Sequence, residues 1–129
     1  MDLAQIVVSE TRDAQLIVLR ERDGNRLLRI HIGLPEVLAV NRRVKGEPRQ
    51  RPMTHDLLGD VIQAMNAELE KIVISDLQDH TFYAQLVIRH MGELIEVDSR
   101  PSDAIALGVA NEVPIYCEET VLEQAGETL

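Results

Sequence analysis

Six short segments rich in Ile, Val and Leu constrain this chain most, because they fall into two sets of three separated by turn residues. Residues 3–10, 15–22 and 27–32 form the first set, with Asp23-Gly24 as its strongest hairpin marker. Residues 72–77, 81–89 and 94–98 form the second, where Phe82, Ala84, Leu86 and Ile88 alternate with Tyr83, Gln85, Val87 and Arg89. Gly92 supplies its hairpin turn. Alternation with a period of two builds strands with one apolar face, and that face must be covered by another layer.

Helical patterns supply the cover. Gly33-Leu34-Pro35 breaks the extended pattern, and Pro35, Val37, Leu38 and Val44 predict a short helix up to Val44. Lys45 to Pro52 reads as loop. Thr54 is an N-cap candidate with Asp56 in the first turn, and Leu57, Leu58, Val61, Ile62, Met65 and Leu69 recur at helical spacing, predicting a helix over 54–70. Gly59 inside that helix costs about 1 kcal/mol relative to Ala, which points to close packing. Ser99 to Asp103 reads as a helix start with Ser99 as cap, giving a helix over 99–110. A strand at Ile115 to Cys117 and a helical turn through Leu122 complete the pattern.

The halves resemble each other. Ile6-Val7-Val8-Ser9 matches Ile72-Val73-Ile74-Ser75, Asp13 matches Asp79 and Pro35 matches Pro101, all at an offset of 66. The expected fold is therefore α+β, with duplicated strand-strand-strand-helix units forming one or two mainly antiparallel sheets packed with helices. One domain over 1–129 is expected, with halves near 3–44 and 72–111 linked by helix 54–70.

Composition narrows the function classes. Hydrophobic residues at 45% and charged residues at 27% describe a globular chain that folds around its own core. Cys117 has no partner for an internal disulfide, which suits a reducing compartment, and the cytoplasm is expected. No stretch approaches the roughly 18 apolar residues of a spanning helix, and Asp2, Glu10, Arg12 and Asp13 stand where a signal peptide needs an apolar run. A net charge of −9 opposes non-specific attraction to polyanions. Against that background Arg42, Arg43, Lys45, Arg49 and Arg51 form a local basic loop. With Phe82, Tyr83 and Tyr116 the only aromatics, no base-stacking platform is expected.

Three segments carry a resemblance to a known family: Arg51-Pro52-Met53-Thr54-His55-Asp56-Leu57-Leu58, Asp79-His80-Thr81-Phe82-Tyr83-Ala84, and Val97-Asp98-Ser99-Arg100-Pro101-Ser102-Asp103-Ala104-Ile105. In order and spacing the chain resembles the bifunctional nuclease domain family from about Ile6 to Tyr116. The resemblance implies a domain that degrades RNA and DNA, found in bacteria and plants and in some members fused to a UvrB/UvrC-like helical motif. It implies no settled catalytic set, so the site residues come from motif position.

Phosphodiester hydrolysis needs an activated water, charge stabilisation around phosphorus and help for the leaving oxygen. His55, Asp56, Asp98 and Asp103 are the expected catalytic residues, with Arg100 binding phosphate where the two helix starts converge. Asp98 and Asp103 are the expected ligands of a divalent cation, Mg2+ or Mn2+. Arg42, Arg43, Arg49 and Arg51 are the expected grip on a nucleic-acid backbone.

A structural account stands beside each of these. Thr54, Asp56, Ser99, Ser102 and Asp103 are residues that helix N-termini favour for capping and dipole reasons alone, and Arg100 has carboxylates nearby to pair with. A charge run in a loop is commonly just solvated. His31, His80 and His90 lack zinc-ligand spacing, and Cys117 has no nucleophile motif around it. The expected activity is a nuclease acting on RNA and DNA with little sequence preference. The competing expectation is a non-catalytic, homo-oligomeric interaction or regulatory module.

Overall fold

The computed structural model describes residues 2–10, 15–22, 24–32 and 54–128. Within them the order is β1 (Asp2–Glu10), β2 (Gln15–Glu21), β3 (Arg26–Ile32), α1 (Thr54–Ala64), β4 (Ala67–Gln78), β5 (Thr81–His90), β6 (Glu93–Ser99), α2 (Pro101–Ala110), β7 (Ile115–Cys117), α3 (Glu119–Ala125) and β8 (Glu127–Thr128). The α+β expectation holds. The strands form one eight-stranded sheet in the order β6-β5-β4-β7-β1-β2-β3-β8.

Each set of three apolar segments is an antiparallel meander, and the two spread outward from β7. β7 runs antiparallel to β1 but parallel to β4, with Ile72 beside Ile115 and Val73 beside Tyr116. The meanders share their strand order. The helix expected at 35–44 lies outside the described residues, so the full four-element repeat is not established.

Tight turns set the second meander. Asp79 and His80, with φ of 49° and 65°, join β4 to β5, and Met91 and Gly92, with φ of 52° and 81°, join β5 to β6. Positive φ at both central residues is the twist that antiparallel strands prefer in a two-residue hairpin.

One face of the sheet carries the core. Ile17 and Leu19 of β2, Leu28 and Ile30 of β3, Ile72 and Ile74 of β4, Ala84 and Leu86 of β5, and Ile115 and Cys117 of β7 pack with α2 and α3. The alternation read in β5 is realised, with one exception: Val87, on the opposite face, is also buried. α2 is apolar nearly all round and is buried from Ala104 through Gly108, as a helix with no solvent stripe must be. Gly108 lies so close to the sheet that an added Cβ would stand 2.8 Å from Ile72 Cγ1.

Several boundaries differ from the sequence expectation. The helix predicted over 54–70 ends at Ala64, because Asn66 takes a left-handed conformation at φ 59° and the chain turns into β4. Leu69 therefore belongs to a strand. The buried face of α1 is Asp56, Gly59 and Ile62, whereas Leu57, Leu58 and Val61, and Met65 just past its end, are exposed, so of the apolar residues at helical spacing in this helix only Ile62 is buried. Gly59 does mark close packing: a Cβ there would meet the Asn111 side chain at 3.0 Å. Ser99 ends β6 instead of capping α2; the cap position falls to Arg100, with Pro101 following it. β8 has no counterpart in the sequence reading.

Candidate functional site

Two local pairs hold four of the five expected site residues that lie among the described residues. The first is at the start of α1. Asp56 occupies the first turn, where a carboxylate complements the positive end of the helix dipole. His55 Nε2 lies 3.5 Å from Asp56 Oδ1, with side chains only 12% and 4% exposed. An imidazole beside a buried carboxylate can hold its proton on one ring nitrogen and present the other as an acceptor.

The second pair is at the start of α2. Arg100, extended at φ −68° and ψ 144°, donates from Nε to Asp103 Oδ2 at 2.8 Å and from Nη2 to Asp103 Oδ1 at 3.1 Å. Both side chains are at least half exposed, so this i,i+3 fork contributes only about 0–1 kcal/mol to stability. It keeps a guanidinium, in the planar geometry that also suits phosphate, at the surface.

Asp98 stands apart. It pairs in register with Gln85, while its neighbours Val97 and Ser99 pair with Leu86 and Ala84 of the core face. Alternation sends the Asp98 side chain off the other face of the sheet, away from the helices, and it is exposed there. The close approach of α1 to α2 through Gly59 is at Asn111, about 12 Å of helical rise from Asp103. Arg42, Arg43, Arg49 and Arg51 lie outside the described residues.

Among the described residues no group of three His, Cys, Asp or Glu gathers to hold a metal ion. Both oxygens of Asp103 face Arg100. These donors do not by themselves fit the oxygen cage a hard divalent cation takes, and no chemical step below runs through one.

The remaining polar candidates are explained by the fold. His80 is an exposed turn residue and His90 ends β5. Cys117 is fully buried, its Sγ donates to the Glu118 carbonyl, and burial pushes its thiol up to about 12, which makes it inert. Arg26 clamps Glu21 of its own hairpin at 2.9 Å and Glu119 of α3 at 2.7 Å, joining β3 to the helix layer. Sequence patterning singles out neither Lys71 nor Tyr116 for function, since each looks like an ordinary strand residue; the sheet register brings them together.

Comparison with known proteins agrees with the motifs. The family described as the bifunctional nuclease domain matches residues 17–129. An uncharacterized protein of Mycobacterium tuberculosis is 42% identical over 121 residues, covering 94% of this chain and 72% of that protein. Bifunctional nuclease 2 of Oryza sativa subsp. japonica is 28% identical over 92% of this chain and 38% of its own length. Bifunctional nuclease 1 of Arabidopsis thaliana is 29% identical over 77% of this chain and 32% of its own length. The chain spans about a third of the length of these plant relatives, and the match to the family takes in both pairs, His55 with Asp56 and Arg100 with Asp103. The chain belongs to the bifunctional nuclease domain family.

Proposed function

We propose that this protein hydrolyses phosphodiester bonds of RNA and DNA with little sequence preference, and that His55 and Asp56 are the centre of its chemistry. The observation that carries the reading is the family match across residues 17–129, supported by the low exposure of the His55–Asp56 pair. Asp56 closes from 3.5 Å to hold a proton on Nε2 of His55, and Nδ1 accepts the proton of a water as its oxygen attacks phosphorus. The bond from phosphorus to the leaving sugar oxygen breaks, and the imidazolium returns the proton to that oxygen. Arg100 exchanges the Asp103 carboxylate for the phosphate, two acceptors of similar bite for one fork. Asp98 and Asp103 lie on opposite faces of the sheet and do not share a cation, so the reading needs no Mg2+ or Mn2+ held by that pair; Arg42, Arg43, Arg49 and Arg51 are the proposed grip on the strand.

The test is cleavage of end-labelled single-stranded RNA and DNA, with and without Mg2+ or Mn2+, by the parent and by His55→Ala and Asp56→Asn variants of unchanged fold. Loss of about 100-fold or more in the variants supports the assignment. Absence of cleavage by the parent favours the second reading, an oligomeric interaction module. One observation favours that rival: Leu57, Leu58 and Val61 of α1, with Met65 just past its end, are exposed apolar residues at helical spacing.

A further inference from the structure

The sheet face opposite α2 and α3 carries a concavity among the described residues, away from either helix start. It has a volume of about 420 Å3 and is lined by Glu68, Leu69, Glu70, Lys71, Pro114 and Tyr116. It is a shallow and largely polar depression, suited to one planar group with a charged tail more than to an enclosed apolar ligand. The register of β4 and β7 creates it. Val73 stands beside Tyr116, so Lys71, two residues earlier on β4, shares the face of Tyr116 and sets its ammonium 5.3 Å from the centroid of that ring. A bulge between Leu69 and Lys71 re-aims the β4 side chains at this point, as bulges do beside binding sites. The hydrogen bond from Ile72 N to the Pro114 carbonyl fixes the opposite rim.

Charge distinguishes the groups in this cavity. Glu70 is bound by Arg89, which balances one carboxylate. Lys71 makes no ion pair among the described residues and rests on an aromatic face instead. In a chain of net charge −9, a lysine held by a ring and not matched to a carboxylate is the feature most suited to an anion. A single ring is too little for a stacking platform along a strand, but a base that displaces the Lys71 ammonium meets one π-face as that ammonium turns to the phosphate. The Glu68 carboxylate adds an acceptor for an amino or hydroxyl donor.

We infer that this cavity binds one nucleotide unit, with its base against Tyr116 and Pro114 and its phosphate on Lys71. The choice of a nucleotide over another aromatic anion rests on the nuclease reading; the cavity and its cation do not. The unit is either a free mononucleotide or one nucleotide of a strand.

Binding is read without turnover, by amide chemical-shift mapping of the whole chain titrated with AMP, adenosine, inorganic phosphate and a five-nucleotide single-stranded DNA. AMP is expected to move the amides of Glu68 through Lys71 together with Ile115 and Tyr116. Tyr116→Leu is expected to weaken AMP about ten-fold, Tyr116→Phe to preserve it, and Lys71→Gln to weaken AMP but not adenosine. Tighter binding of the pentanucleotide than of AMP identifies a strand as the source, and the reverse order identifies the free nucleotide. Absence of shifts at these amides with millimolar AMP, or shifts that Tyr116→Leu leaves unchanged, overturns the inference. Cleavage measured alongside separates the two ideas. Intact cleavage without binding here removes this site alone, and binding here without cleavage removes the nuclease reading alone.

Discussion

Gly59 of α1 lies so close to Asn111 at the end of α2 that a Cβ on Gly59 would stand 3.0 Å from Asn111 Nδ2 and 3.2 Å from Oδ1. Asn111 is not free to yield at no cost, because Nδ2 also donates to the Leu107 carbonyl at 2.9 Å. Gly→Ala inside an exposed helix normally stabilises by about 1 kcal/mol. Here Gly59→Ala is expected to lose that gain, and to recover it in an Asn111→Ala background. A double-mutant cycle from urea unfolding should show a coupling of at least about 1 kcal/mol; additive effects would mean that the two helices are not packed at this point.

His80 tests whether a family motif is structural. Its φ of 65°, after 49° at Asp79, places it in a left-handed turn with an exposed side chain. His80→Gly removes the Cβ that this conformation disfavours and should raise stability by about 0.5–1 kcal/mol with cleavage unchanged. A loss of cleavage at unchanged stability would give His80 a chemical role.

Cys117 makes stability depend on alkaline pH. Its thiol ionises near 9.0 when unfolded but only near about 12 when buried, so the folded state keeps a proton that the unfolded state loses between those values. Any stability tied to this proton is fully present below pH 9 and declines as pH rises through the window. Cys117→Ala is expected to flatten the fall in urea midpoint above pH 9 by one proton's worth of slope. Parent and variant falling in parallel would contradict burial of the thiol.

Arg26 acts at the acidic end. Its hydrogen bonds hold the Glu21 and Glu119 carboxyls below the ordinary carboxylate range. The stabilisation from each is present above its unfolded value of about 4.5 and is lost as pH falls through the lowered folded value. Carboxyl carbon titration by NMR should show both resonances moving at lower pH than those of other glutamates, and returning to the ordinary range in Arg26→Gln. No change on substitution would remove the clamp between β3 and α3.

Strand positions were the most legible part of the sequence, because a period of two leaves little choice about which residues face the core. Ala84 and Leu86 follow it directly. The α1 boundary was legible only through Asn66, a residue that tolerates left-handed backbone and so ends a helix, whereas the apolar spacing of Met65 and Leu69 argues past it. The buried face of α1 is legible through Gly59, a small residue that sets how closely the helix approaches Asn111, more than through the apolar spacing. The site was legible as residue types and local pairs. Asp98 shows the limit: one step of strand alternation puts it on the far face, which motif spacing does not reveal. Lys71 and Tyr116 meet only through the pairing of β4 with β7, two strands far apart in sequence.

The most direct test of the proposed chemistry is chemical rescue of His55→Ala in single-turnover cleavage of a labelled RNA. The parent should cleave, His55→Ala should fall about 100-fold or more, and added imidazole should restore part of the loss in proportion to its free-base concentration. Cleavage by His55→Ala at the parent's rate, or a parent that does not cleave under any divalent-cation condition, would contradict the assignment of a nuclease centred on His55 and Asp56.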